Sequence, residues 1–362
     1  MLEGSQNWTH RALAAEGDGR VALCNRDLWG MRRRIEAATG LEATPALLGA
    51  GGASHVAVWG RGRLTTLSVA RRARAGLLHV EDAFLRSVEP GRHALTVGLA
   101  VDPEGWHGDP ARPGRLDRLI DLRMQDRRSK RDGGQVAEAM RRLRLSKYLL
   151  PGGPQPRIPR GAVILADQAP GDAALGGAGR PFFLRMLRTV LAEHPDAPVL
   201  IRSHPAAPTG HLTPAVLLHA ARRSRRIASA LREGRLGFLP AAAAPASVFQ
   251  GAARLHVANS LIGLEALVHG VPVTCHAPGF YAGRGLTDDR FERPGRPATL
   301  AAVLAAAYLD HCTWFEPGGD RPVSFFDAGE ALRRLADGGP PPPLRRPSRT
   351  GFLLAALTGR GA

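Results

Sequence analysis

Short apolar runs alternate with longer stretches of helical spacing along most of this chain. HVAVWG at 55–60 reads as a strand, 64–75 carries apolar residues at helical intervals, and LLHV at 77–80 reads as the next strand. Strands separated by one helix-length segment lie parallel, because the crossover returns the chain to the edge from which it started. The rhythm restarts at AVILA (162–166), with a glycine-containing loop, a helix over 181–193 and a strand at 198–202. It recurs at RLHVA (254–258), a helix over 261–269 that Gly270 can end, and a strand at 271–275. Between the halves lie a basic stretch at 125–134, a helix near 136–145 and PGGPQPRIP at 151–159, which suits neither helix nor strand. The pattern predicts an α/β protein with two doubly wound domains facing a cleft, 1–150 and 151–310. A C-terminal segment, 311–362, holds GGPPPP at 338–343, a basic extended tail and a short last helix at 352–357.

A length of 362 residues suits two domains, and 43 Gly with 29 Pro but no period suits a loop-rich globular chain. The 49 Lys and Arg against 32 Asp and Glu give +17, which favours a polyanionic partner: nucleic acid, an anionic lipid surface, or phosphorylated and carboxylated sugars. Cys24, Cys275 and Cys312 have no CxxC spacing, so neither a disulfide framework nor a cysteine zinc site is expected. The 13 His are dispersed without HExxH or HxxxH, and Asp288–Asp289 is a lone acidic pair, so no metal requirement is predicted. The opening MLEGS lacks a basic segment before an apolar core, and no run of about 18 apolar residues occurs. The expectation is a cytoplasmic chain.

In open α/β sheets ligands bind beyond the carboxyl ends of the strands, where helix N-termini converge with free N–H groups. The polar residues at these exits are Glu81, Asp82 and Arg86; Gln168 through Asp172; Arg202, His204 and Pro205; and Asn259 with Ser260. Asn259–Ser260 stands where a helix cap belongs and suits either a cap or an anion. Glu265, in an apolar helical run, needs a partner if it is partly buried, a ribose diol or an arginine, or else it points to solvent. Glu81 and Asp82 are adjacent, so in extended backbone one faces the cleft and the other anchors the loop. The loop from Gln168 to Gly179 lacks GxGxxG and a P-loop lysine, which argues against an NTPase.

Several strings taken in order resemble the bacterial capsule-polysaccharide Kdo transferases of the KpsC/KpsS type. They are HVAVWG (55–60), VEDAFLRS (80–87), Asp102 to Asp109 with its GWHGD, SKY (146–148), Gln168 to Asp172, RSHP (202–205), and Asn259 to Asp289 including GFYAGRGLT (279–287). The resemblance spans roughly 54–290 and implies a GT-B-like fold, an acceptor-side first domain and a nucleotide-binding second domain. It further implies transfer of Kdo with retention from CMP-β-Kdo to a phospholipid-linked acceptor at the cytoplasmic membrane face, without a cofactor. By this resemblance Asp172 is the nucleophile, Glu81 moves the acceptor proton, and Gln168, Arg202, His204, Pro205, Asn259, Ser260 and Glu265 hold the donor. Asp82, Arg86, Tyr281 and Arg284 complete the cleft. Ala83 stands where family members commonly carry Gly, Arg202–Ser203 where Lys-Pro is usual, and Arg284 where Trp is usual.

Family members often carry two such modules, so a single module implies a second Kdo transferase as partner, together with the capsule export machinery. Two other readings fit the residues: a GT-B transferase using another nucleotide sugar, and a non-catalytic polysaccharide- or nucleic-acid-binding protein whose +17 acts through counterion release. The second leaves the polar strand exits unexplained, and nucleic acid is not the expected partner.

Overall fold

The structure is a computed structural model that describes residues 19–46, 50, 52–91, 94–109, 112–207, 209–292 and 295–340. The basic tail beyond Pro340 and the last helix expected at 352–357 lie outside the described residues.

A parallel unit precedes the first one visible in the apolar pattern. β1 (Arg20–Leu23) leads through α1 (Arg26–Gly30) and α2 (Arg32–Thr39) to β2 (Glu42–Pro45), which pairs parallel to β1 on the outer edge. β3 (His55–Trp59), α3 (Leu64–Ala73) and β4 (Gly76–Asp82) extend the sheet on the other side of β1. β5 (Gly98–Asp102) then runs antiparallel to β4, with Asp82 opposite Leu99, so the first sheet is mixed where parallel pairing was expected throughout. The reason lies in the connection: the described residues between 83 and 97 form no helix to carry the chain back across the sheet.

α4 (Arg115–Gln125) and α5 (Ser129–Arg142) follow. α5 begins seven residues before the expected 136, because the Gly133–Gly134 pair reads as a helix breaker yet lies within the helix. The second sheet is built from β6 (Ala162–Ala166), α6 (Arg180–Glu193), β7 (Val199–Arg202), α7 (Pro214–Ala221), α8 (Arg225–Arg232), β8 (Leu236–Leu239), α9 (Pro245–Phe249), β9 (Ala252–Val257), α10 (Ile262–Val268), β10 (Val273–Cys275) and β11 (Asp288–Asp289). All its pairings are parallel, in the order β11-β10-β9-β6-β7-β8. The whole of AVILA at β6 is buried, as a strand covered by helices on both faces must be.

α11 (Leu300–Ala305) runs into a wide π turn at Ala306–His311, and the chain then returns to the first sheet. β12 (Cys312–Phe315) pairs antiparallel with β5, and β13 (Pro322–Val323) pairs with β12 before α12 (Phe325–Ala336) closes the described chain. The first sheet therefore reads β13-β12-β5-β4-β3-β1-β2.

One apolar cluster joins the two sheets. It includes Phe84 and Ala100 from the first, Val136 and Met140 from α5, Ile164 and Leu255 from the second, and Tyr308 and Trp314 from the returning segment. Beside it α5 packs tightly on α11, since a Cβ at Gly133 would lie 2.1 Å from the carbonyl oxygen of Ala301. This shared core fixes the two sets of strand ends opposite each other.

Candidate active site

A cleft of about 700 Å³ opens between the sheets. Its walls are the exits of β4 (Glu81, Asp82, Phe84), β6 (Gln168, Asp172), β7 (His204), β9 (Asn259, Ser260) and β10 (Phe280), with Trp106, His107 and Lys147 supplied by loops. The carboxyl-end rule thus places the polar exits of both sheets in one cavity.

Glu81 is the carboxyl that burial perturbs most directly here. Loss of hydration pushes it up to about 7; the Lys147 charge opposes this, Asp82 adds to it, the Asp82 backbone N–H opposes it, and the Asp172 charge adds to it. Asp82, its neighbour, is held by Arg86 Nε at 2.6 Å and so anchors the loop, but both residues line the cleft, where only one was expected to face it. Arg86 also donates to Ser87 Oγ and Gly91 O and does not line the cleft.

Asp172 caps a single 3-10 turn at Ala173–Leu175. Its Oδ1 accepts from the Ala174 N–H at 2.9 Å and its Oδ2 from Gln168 Nε2 at 3.1 Å. Gln168 is buried and also bonds Asn259, donating to its Oδ1 (3.3 Å) and accepting its backbone N–H (3.4 Å). Asn259 Nδ2 donates to the carbonyls of Ala174 and Pro278. These amides clasp three strand exits around the Asp172 carboxylate and leave it oriented toward the cavity.

His204 accepts the Ala206 N–H on Nδ1 at 3.1 Å, so the neutral ring carries its proton on Nε2. Burial, with the Lys147 and Arg202 charges, holds its pKa down to about 4, against the pull of Asp172. It is a neutral hydrogen-bond donor near pH 7. Ser260 lines the cleft with a hydroxyl that bonds nothing among the described residues, but it is not a helix cap: α10 begins at Ile262 after Leu261, with no side-chain cap.

Besides Arg86, four residues expected at the donor or cleft surface lie outside its lining. Arg202 is buried beneath the cleft, donating to the Ala243 carbonyl at 3.0 Å, with burial lowering its pKa to about 10. Pro205 follows His204 outside the lining. Glu265 is buried and spans the domains: it accepts from Ser146 Oγ (3.0 Å) and from the Lys147 N–H (2.8 Å). Its carboxyl is pushed up to about 7 by burial, opposed by those bonds and by Arg202 and Lys147. The partner its apolar helix demanded is thus a serine and a backbone amide, not a ribose. Tyr281 is fully buried under α10, its hydroxyl donating to the Ser260 carbonyl; Gly263 makes room, since a Cβ there would meet that hydroxyl at 2.2 Å.

Arg284 does line the cleft, yet all its nitrogens are engaged: Nε with Phe280 O (2.7 Å), Nη1 with Arg296 O (3.2 Å), Nη2 with Asp117 Oδ1 (2.6 Å). It is a strut from the second domain to α4 of the first.

Lys147 is the cleft residue that strand-exit reasoning passed over, because it sits in no exit. Its motif, SKY, was visible. The segment is pinned by the Arg86 and Ser87 N–H groups on the Lys147 carbonyl and by Glu265 on its N–H, while its ammonium makes no hydrogen bond or ion pair among the described residues. Trp106 and His107 were likewise unassigned; the His107 ring packs edge-on to Phe84, and burial holds its pKa down to about 3. Among the described residues, one group of side chains has metal-ligand spacing, Glu193, His194 and His256, and it lies outside this lining.

Two Rossmann-type sheets sharing a cleft at their carboxyl strand ends define a GT-B-like α/β protein. Residues 157–312 match the model of a family described as capsule polysaccharide biosynthesis protein. The chain is 29% identical over 304 residues to the capsule polysaccharide modification protein LipA of Neisseria meningitidis, covering 78% of this chain and 41% of that one. It thus spans about two fifths of this curated relative's length. Among solved structures it is similar to Thermosulfurimonas dismutans KpsC, beta Kdo 2,4 transferase, with 28% identity, a TM-score of 0.71, and coverage of 88% of this chain and 99% of that one. The 2,7 transferase of the same KpsC gives 22% identity and a TM-score of 0.63, covering 87% and 99%. In sequence and fold the chain is thus similar to capsule polysaccharide proteins of the KpsC and LipA type. Among the described residues, no helix is long and apolar enough to cross a membrane.

Proposed function

We propose that this protein is a glycosyltransferase that moves Kdo from CMP-β-Kdo, with retention, to a Kdo-bearing phospholipid linker. The observation that carries the reading is the convergence of Asp172, Glu81, Lys147 and His204 in one interdomain cleft. Kdo carries a carboxylate on its anomeric carbon and the donor a phosphodiester, so a free ammonium and a neutral imidazole donor match the substrate's two anionic groups. A carboxylate fixed by Ala174 and Gln168 suits attack at that carbon.

In the first displacement the Asp172 carboxylate forms a bond to the anomeric carbon as the bond to the cytidylate phosphate breaks. CMP leaves with its electron pair, its charge met by Lys147, His204 Nε2–H and the Ser260 hydroxyl. In the second, the acceptor hydroxyl attacks, its proton passes to Glu81, and Asp172 is released as carboxylate. Two inversions give retention. Glu81 near 7 is matched to that proton transfer, and no cofactor enters either step.

Similarity to the 2,4 transferase supports a β-2,4 linkage, with a second Kdo transferase supplying the alternate linkage before capsule export. The net +17 suits an anionic phospholipid acceptor at the inner membrane face. Binding to anionic vesicles that added salt reverses is the expected behaviour in cosedimentation. The direct test supplies purified protein with CMP-Kdo generated in place and a synthetic Kdo-lipid, reading product linkage and anomer by NMR. A β-linked Kdo product is expected; turnover of a different nucleotide sugar with CMP-Kdo inert would overturn the reading.

A further inference from the structure

Three histidines that are far apart in sequence meet on the α6 face of the second sheet. His256, on β9, is fully buried; its Nε2 lies 3.2 Å from Nε2 of His194, just past the end of α6, and its Nδ1 lies 3.1 Å from Nε2 of His276, just past β10. The Glu193 carboxylate joins them: one of its oxygens and the His194 and His256 nitrogens all lie within 4.8 Å of one another.

Two nitrogens bound to zinc at about 2.0–2.1 Å in tetrahedral geometry stand about 3.3 Å apart. The His194–His256 separation has that value already. We propose that Glu193, His194 and His256 form a Zn²⁺ site, with His276 holding His256 in the ligating tautomer. With Nε2 of His256 on the metal, its Nδ1–H donates to His276, the outer hydrogen bond that a metal-bound imidazole ordinarily makes. An imidazole and carboxylate donor set suits a borderline cation such as zinc, and the exposed side of Glu193 leaves the fourth position to water. Two guanidinium groups nearby are each paired with a carboxylate: Arg290 with Glu193 and Arg254 with Asp288. Arg290 Nε donates to Oε1 of Glu193, and a carboxylate has a second oxygen that can take a metal. The site would tie the end of α6 to the central strand β9, two residues upstream of the cleft residue Pro278 through His276.

The test uses the full chain after chelator treatment, titrated with Zn²⁺ by calorimetry and with Co²⁺ by visible absorption. One equivalent should bind, with intense d–d bands of a low-coordinate Co²⁺ and a higher unfolding temperature. His194→Gln, at a half-exposed position outside the cleft, should abolish the bands, and His276→Gln should weaken binding about 10–100-fold. His219→Gln, an exposed histidine on α7, should leave binding unchanged. Should His194→Gln unfold, Glu193→Gln at the surface replaces it and should also weaken binding. Absence of d–d bands in the wild-type chain, or bands that survive both His194→Gln and Glu193→Gln, would overturn the proposal.

Discussion

Glu81 and Asp172 share one cleft but not one environment, and their difference divides the proposed work. Asp172 accepts two hydrogen bonds and sits where a nucleophile can be aimed. Asp172→Asn should cut Kdo transfer by at least about 10³-fold while leaving CMP affinity in calorimetry unchanged. Glu81 has a folded pKa of about 7, raised above its usual 4.5. A carboxyl raised on folding binds its proton more tightly in the native state, so its contribution to stability is full below 4.5 and is lost as pH rises through about 7. Glu81→Gln should therefore raise the unfolding temperature at pH 8 and leave it nearly unchanged at pH 4. The same variant should lose the rate limb that ascends near pH 7, which a purely structural carboxyl would not produce.

At the scale of elements, α5 shows how a tertiary contact reverses a local preference. Replacing glycine by alanine inside a helix ordinarily stabilises by about 1 kcal/mol. Gly134 has nothing within 4 Å of a new Cβ, and Gly134→Ala should show that gain in urea unfolding. At Gly133 the Ala301 carbonyl lies 2.1 Å from the same atom, so Gly133→Ala should instead destabilise by about 1–3 kcal/mol. The Gly133–Gly134 pair also explains why α5 looked shorter in the sequence: one glycine is required by α11, and no local pattern reveals that. The alternating apolar runs did predict β3, β4, β6, β7, β9 and β10 close to their observed bounds, because each strand buries its own residues against helices near in sequence.

Across the whole molecule, the two domains are held by buried polar links as well as by the shared core. Glu265 grips Ser146 and Lys147, and Arg284 grips Asp117, whose other oxygen caps α4 through the Gly114 N–H. Arg284→Met should cost about 1–3 kcal/mol, the usual value of hydrogen bonds to a charged group, measured by urea unfolding. The Arg284 nitrogens are therefore all engaged by protein groups, one of them across the domain boundary.

The sequence by itself determined the α/β class, the two-sheet rhythm and the polar strand exits, since these follow from the spacing of apolar residues and from the direction of parallel strands. It also carried Asp172, Glu81 and His204 into the cleft, because strand exits converge in any doubly wound sheet. Only the tertiary structure decided that Glu265, Arg202 and Tyr281 lie beneath that surface, that Lys147 reaches it, and that β12 returns to the first sheet. Those outcomes depend on which buried polar group finds which partner across a domain boundary, as Glu265 finds Ser146 119 residues away. Spacing along a chain does not encode such a distance.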